Sequence, residues 1–260
     1  MRVQKLTAAK LLLIVFFLFA VFFPLSRMFA CMAETDVLSV VRSGRFLSAV
    51  RNSLSASLAA TCISVVLGIV LAFCTERING KGRHVWTFLF LIPMLIPSIS
   101  TGMGLVILLG RNGILTNLLR LPHPIYGFGG IVAGSVLYSF PVAYMMTADI
   151  IRYEDSRPYE AADILGIPKA KQFTALFVPY IRKPLISVVF TVFTLIVTDY
   201  GVPLMIGGGC ITLPVMMYED VIGLLDFGKG SVIGAVLLVP AVIAFILDTI
   251  NRDKASSPSL

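Results

Sequence analysis

Six long stretches of this chain are apolar almost without interruption, and the polar residues collect between them. The stretches cover residues 11–30, 53–73, 86–109, 126–150, 185–205 and 231–250. A helix needs about 20 mostly apolar residues to cross a bilayer, so each stretch is predicted to be a spanning helix. The second is rich in small residues (Ser53, Ser55, Ser57, Ala59, Ala60, Gly68), which favours close helix–helix approach. The third carries Pro93 and Pro97, the fourth Pro141 and the sixth Pro240. Proline removes a backbone donor and is expected to kink a helix or interrupt it. The first stretch follows a basic leader (Arg2, Lys5, Lys10). It is longer than the core of a secretory signal, and no clean small-residue cleavage site follows, so it reads as an uncleaved helix. No internal repeat is visible. The predicted fold is an all-α membrane protein, a single transmembrane domain over residues 1–260.

Composition strengthens this reading. The 260 residues are 57% hydrophobic and 13% charged, against about 45–50% and about 25% for a soluble domain. The net charge of +7 fits cationic loops held at an anionic membrane face, with no call for nucleic acid. With the N-terminus in the cytoplasm, twice as many Lys and Arg fall on the cytoplasmic side as outside, which places both termini inside. Cys31, Cys62, Cys74 and Cys210 show no C-x-x-C spacing, and His84 and His123 stand apart. Neither a metal site nor a disulfide framework is expected, and Cys62 and Cys74 read as space-filling helix residues.

The loop 152–183 differs from the others: it is long, highly charged and yet ordered in pattern. Ser156 is placed to cap a helix, Pro158 suits its first turn and Glu160 complements its dipole. Gly166 stops that helix. Pro168 opens a second one with Phe173, Leu176 and Phe177 on one face, and Pro179 and Pro184 are expected to turn the chain back into the bilayer. The reading is a short helix, a tight turn and another short helix on the cytoplasmic surface.

This loop resembles the signature of binding-protein-dependent ABC importer permeases, E-A-A-x3-G-x9-I-x-L-P. Glu160, Ala161, Ala162, Gly166 and Pro179 match at the right spacing, while Leu176 replaces Ile and Val178 replaces Leu. The resemblance implies a coupling helix that docks on a cytoplasmic ATPase. It further implies a second permease subunit, identical or similar, an extracytoplasmic substrate-binding protein, and a bacterial inner-membrane location. ATP and Mg would belong to the ATPase; no cofactor is expected in this chain and no enzymatic activity. The style of the segment is closest to permeases for polyamines, ferric iron, thiamine or aminoethylphosphonate, with a lean toward aminoethylphosphonate or iron. Some such families fuse two domains in one chain; here the partner domain is expected to be a separate polypeptide or a second copy.

Other candidates are weaker. Asp199 and Tyr200 precede Gly201 and Pro203 toward the outer end of the fifth stretch. An acidic residue there faces a wet path, holds a helix break, or reaches interfacial water; similar permeases carry an acidic-aromatic-Gly element here, which makes both residues translocation-path candidates. The outer segment 207–230 is too polar to span; residues 214–225 are expected to form a surface helix with Glu219 and Asp220 exposed, in the region that faces the binding protein in similar permeases. Gly223-x4-Gly228-Lys229 nearly matches a P-loop, but Gly230 stands where Ser or Thr would hold Mg²⁺. Gly127, Gly129 and Gly130 read as tight packing at a helix start. An ion-coupled secondary transporter is the alternative, though no matched pair of broken helices appears. A membrane-embedded enzyme would need clustered polar groups that are not evident.

Overall fold

The computed structural model describes residues 2–76, 78 and 81–256. Their regular structure is helical: α1 (Arg2–Ala33), α2 (Val37–Arg42), α3 (Gly44–Glu76), α4 (Lys81–Leu91), α5 (Ser98–Leu109), α6 (Ile114–Leu119), α7 (Phe128–Arg152), α8 (Arg157–Ile164), α9 (Lys169–Gln172), α10 (Val178–Val197), α11 (Gly201–Ile206), α12 (Leu213–Tyr218) and α13 (Phe227–Ser256). Six segments among these residues are long and apolar enough to cross a membrane: Lys10–Ala33, Gly44–Glu76, Ser98–Leu119, Phe128–Arg152, Lys169–Val197 and Phe227–Ile250.

Two predicted helices are redrawn. The third stretch is two helices, not one kinked helix. A 3₁₀ turn, Ile92–Leu95, starts with Pro93 in its first turn, and Ile96 before Pro97 is extended at φ −94°, ψ 128°. A residue preceding proline is pushed out of the α region, so the ladder ends there. The fifth span begins well before residue 185. It runs from Lys169 through a π turn, Phe173–Phe177, into α10 without a reversal. Pro179 and Pro184 therefore do not turn the chain: Pro179 lies in the first turn of α10, where the helix continues from the π turn, and Pro184 lies inside α10. The predicted end at residue 205 is also moved, because the helix stops at Val197 and a new one starts at Gly201. Pro141 is inside α7, and that helix continues through it.

Within lipid, apolar side chains gain little by leaving one apolar medium for another, so packing falls to small residues and hydrogen bonds. The α3–α7 contact shows this. A Cβ on Gly68 would lie 2.7 Å from the backbone and Cβ of Ala143, so only glycine allows this approach. One turn away, buried Ser64 and Ser139 share a hydrogen bond of 2.8 Å between their hydroxyls. Val188, Val192 and Ile196 of α10 complete a core with Ala56, Ala60, Val65, Ile131 and Ala143. A second core joins Val40 and Phe46 to Leu213, Met216, Val232 and Ile233. Tyr144 is buried, and its hydroxyl joins Thr75 at 3.1 Å and Thr87 at 2.9 Å, tying α4 to α3 and α7. Helix α1 packs on α13, while Leu11–Phe23 side chains face outward all round. Cys62 and Cys74 are likewise exposed and do not fill the interior.

Candidate functional site

Local sequence builds the charged loop. After α7 ends at Arg152, the Asp155 carboxylate accepts the Arg157 amide at 3.0 Å. Ser156 stands at the cap position of α8, yet its side chain makes no cap bond; its hydroxyl bonds Glu160 Oε1 at 2.8 Å. Asp155 thus satisfies the first amide of α8, and the Tyr159 amide is taken by the Ser156 carbonyl at 3.0 Å. Pro158 occupies the first turn and Glu160 the N-terminal end, where the dipole favours a carboxylate. Gly166 has φ +67° and open space around it, so its need for glycine is conformational. Its amide bonds the Asp163 carbonyl at 3.0 Å and the Ile167 amide bonds the Ala162 carbonyl at 2.9 Å, the paired closure of a Schellman stop.

Beyond Gly166 the corner is braced. Gln172 is 2% exposed. Its amide nitrogen donates to Asp163 Oδ1 at 2.6 Å and to the Ile167 carbonyl at 2.8 Å. Lys169 donates to both Asp163 oxygens at 2.7 and 2.8 Å. These bonds, with Lys169 first and Gln172 second, hold the Asp163 carboxyl below its ordinary range. The matched residues Glu160, Ala161, Ala162 and Gly166 gather on α8 and its stop. Ala162 is buried, while Glu160 and Ala161 face outward. Pro179 is apart from them, on α10.

Between α8, the start of the fifth span and the ends of α3 and α7 lies a cavity of about 600 Å³. Its walls include Phe73, Glu76, Glu154, Tyr159, Phe173 and Phe177. The three phenylalanines pack together, Phe173 stacked on Phe177 at 5.1 Å and Phe73 edge-on to Phe177 at 5.6 Å. The Tyr159 hydroxyl donates to Glu154. Burial, then the Glu154 bond, pushes the Tyr159 phenol well above its ordinary value.

Glu76 was not singled out in the sequence. Its largely buried carboxylate pairs with Arg83 at 2.7 Å and Arg152 at 3.4 Å, joining the ends of α3, α4 and α7. The available signal was an acidic residue closing an apolar run before a basic loop.

At the opposite end Asp199 sits just past α10. Its carboxylate accepts the amides of Gly201 at 3.3 Å and Val202 at 3.1 Å, so it caps α11. It also lines a small enclosed space of about 10 Å³ with Ser53, Ser57, Ser135 and Thr212. Tyr200 stacks on Tyr218 with centroids 5.4 Å apart and planes 11° from parallel. The expectation that Glu219 and Asp220 are both exposed is corrected. Asp220 is 1% exposed and is held by Arg45 at 3.3 Å, while Arg45 also pairs with half-exposed Glu219. A π turn, Glu219–Gly223, follows α12 and carries Asp220 inward. Lys229, the lysine of the P-loop near-match, pairs with Asp226 at 2.9 Å. Among the described residues no three His, Cys, Asp or Glu are grouped to hold a metal.

Comparison with known proteins places these features. A family model described as "Binding-protein-dependent transport system inner membrane component" matches residues 64–255. The chain is similar to the putative ferric transport system permease protein FbpB 1 of Haemophilus influenzae, 25% identical over 96% of this chain and 42% of that protein. It is also similar to the thiamine transport system permease protein ThiP of Brucella abortus, 28% identical over 63% of this chain and 32% of that protein. The molybdenum transport system permease protein ModB of Azotobacter vinelandii is 26% identical over 80% of this chain and 96% of its own length. The chain thus spans less than half the length of the ferric and thiamine permeases it matches. Among solved structures, a bacterial alginate ABC transporter in complex with a pentasaccharide-bound periplasmic protein shares the fold, with TM-score 0.75 and 15% identity over 98% of this chain and 95% of that one. An amino acid ABC transporter gives TM-score 0.62 and 17% identity over 85% of this chain and 99% of that one.

Proposed function

The chain belongs to the binding-protein-dependent transport system inner membrane components, a family of multi-pass transporter subunits and not of enzymes, and from that premise we propose that it couples to a separate cytoplasmic ATPase through α8. The observation that carries this reading is the braced corner. Glu160 and Ala161 stand outward on an eight-residue helix, its stop is fixed at Gly166, and Asp163, Lys169 and Gln172 lock it to the next turn. Force applied to α8 therefore passes to Lys169 and along one continuous helix into α10, which packs on α3 and α7.

In this reading α8 and both termini lie in the cytoplasm, in keeping with the excess of Lys and Arg on that side. The ATPase binds ATP and Mg. A second permease subunit, identical or similar, forms the other wall of the path. A binding protein delivers substrate at the end that carries α12, Tyr200 and Tyr218. Closure of the ATPases moves the α8 corners and tilts the fifth spans between inward-open and outward-open arrangements. Asp199 shapes the path by setting the break between α10 and α11, its carboxylate being engaged by backbone amides. The ferric, thiamine and molybdenum permeases that the chain resembles support a small solute, with ferric iron first; aminoethylphosphonate and polyamines rest on the style of the loop alone.

Proteoliposomes holding the chain with its co-isolated ATPase, its binding protein outside and ATP inside, test the reading. The expected result is uptake of ferric iron that needs internal ATP. Uptake driven by an ion gradient with no ATP would instead establish a secondary transporter.

A further inference from the structure

The cavity behind α8 has an unbalanced wall. Glu76 is met by Arg83 and Arg152, and Asp163 by Lys169. Glu154 is different: it is half-buried, and its described partner is the Tyr159 hydroxyl, with no Lys or Arg of the described residues in ion-pairing range. Asp155, beside it, accepts the Arg157 amide at 3.0 Å, and among the described residues the cation in its ion-pairing range is exposed Arg157 at 3.9 Å. A carboxylate partly removed from water gains most from a cation that brings its own hydrogen bonds. The same wall exposes an aromatic ring. Phe173 remains 45% exposed although Phe73 and Phe177 pack on it. A guanidinium satisfies both neighbours, since it is planar, bonds a carboxylate through two N–H groups and stacks on aromatic faces. An ammonium satisfies only the first. At about 600 Å³ the cavity admits such a side chain together with part of the loop that bears it.

We propose that this cavity receives an arginine side chain of the cytoplasmic ATPase, seated on Glu154 and against Phe173, as a second contact behind the α8 helix. The inference rests on the ATPase-coupling reading and names a contact separate from Glu160 and Ala161. Acidic Glu154 and Asp155 complement a basic partner, and the cavity opens at the end of the bundle that carries α8.

The test uses the full chain co-isolated with its ATPase. With p-benzoylphenylalanine in place of Phe173, irradiation is expected to cross-link an ATPase segment that contains an arginine. Glu154→Gln keeps an acceptor for Tyr159 and removes only the charge. It is expected to keep the wild-type melting temperature and to weaken ATPase retention about tenfold or more, the scale of losing a buried charged contact. Glu154→Arg should lose the ATPase, and reversing the cross-linked arginine to glutamate should restore it. The proposal is overturned if cross-links form only within the chain or to lipid while the ATPase is bound, or if Glu154→Gln retains the ATPase as wild type does. It is also overturned if millimolar arginine amide abolishes the cross-link without displacing the ATPase, which would make the cavity a small-cation site. A wild-type chain that retains no ATPase at all defeats the coupling reading first, and this contact with it.

Discussion

The side-chain amide of Gln172 donates to the carboxylate of Asp163 at 2.6 Å across the turn that separates α8 from α9. Because Gln172 is buried and also bonds the Ile167 carbonyl, it anchors the turn from inside while Lys169 closes it from outside. Gln172→Ala removes both bonds and leaves the Ile167 carbonyl unpaired, a local cost of about 1–3 kcal/mol. Hydrogen exchange is expected to quicken in residues 162–172 while the α3–α7 core keeps its protection.

The same corner responds to pH in one direction. The Asp163 carboxyl is held below its ordinary value of 3.8 by Lys169 and then Gln172. A depressed carboxylate contributes bracing that is fully present above the ordinary value and is lost as pH falls through the depressed one. Neutral pH therefore leaves the corner closed, and acidification below 3.8 should open it. Asp163→Asn should show fast exchange in this segment already at neutral pH, with little further acid dependence.

Gly166 is set by its φ of +67° and not by crowding. Gly166→Ala should cost about 1–2 kcal/mol, Gly166→Asn less, since asparagine tolerates the left-handed region, and Gly166→Val more. The order of ATPase retention across these variants should follow the order of strain.

Gly68 makes the opposite case. A Cβ there would meet the Ala143 backbone at 2.7 Å, whereas one on Gly104 would meet nothing within 4 Å. Gly68→Ala should lower stability by about 1–3 kcal/mol through overpacking. Gly104→Ala should leave the melting temperature unchanged or slightly raised.

Arg45 holds buried Asp220 at the other end of the molecule. Breaking a fully buried pair costs about 3–5 kcal/mol, but Arg45 is half-exposed, so about 1–3 kcal/mol is expected after solvent screening. Arg45→Gln should destabilise by that amount, and adding Asp220→Asn should recover part of it. Simple additivity of the two changes in thermal melts would contradict the pairing.

Spanning helices were legible because lipid demands long apolar runs, and α8 because Pro158, Glu160 and Gly166 each act locally. The helix ends near proline were not. Pro93 and Pro97 split a helix, Pro141 is absorbed inside one, and Pro179 lies two residues past a π turn; the residues alone do not separate these outcomes, since neighbouring packing decides them. Asp220 looked exposed in a polar segment, but its burial depends on Arg45, distant in sequence. Glu76 and Glu154 lacked a local pattern for the same reason: their surroundings come from other helices.

Co-isolation of the tagged chain from its native membranes in mild detergent, beside a Gly166→Pro form, tests the central claim most directly. The account predicts that a P-loop ATPase accompanies the wild type and is lost from a mutant that still melts as a folded membrane protein. A stable chain with no ATPase in either preparation, under conditions that preserve a control importer, would contradict it.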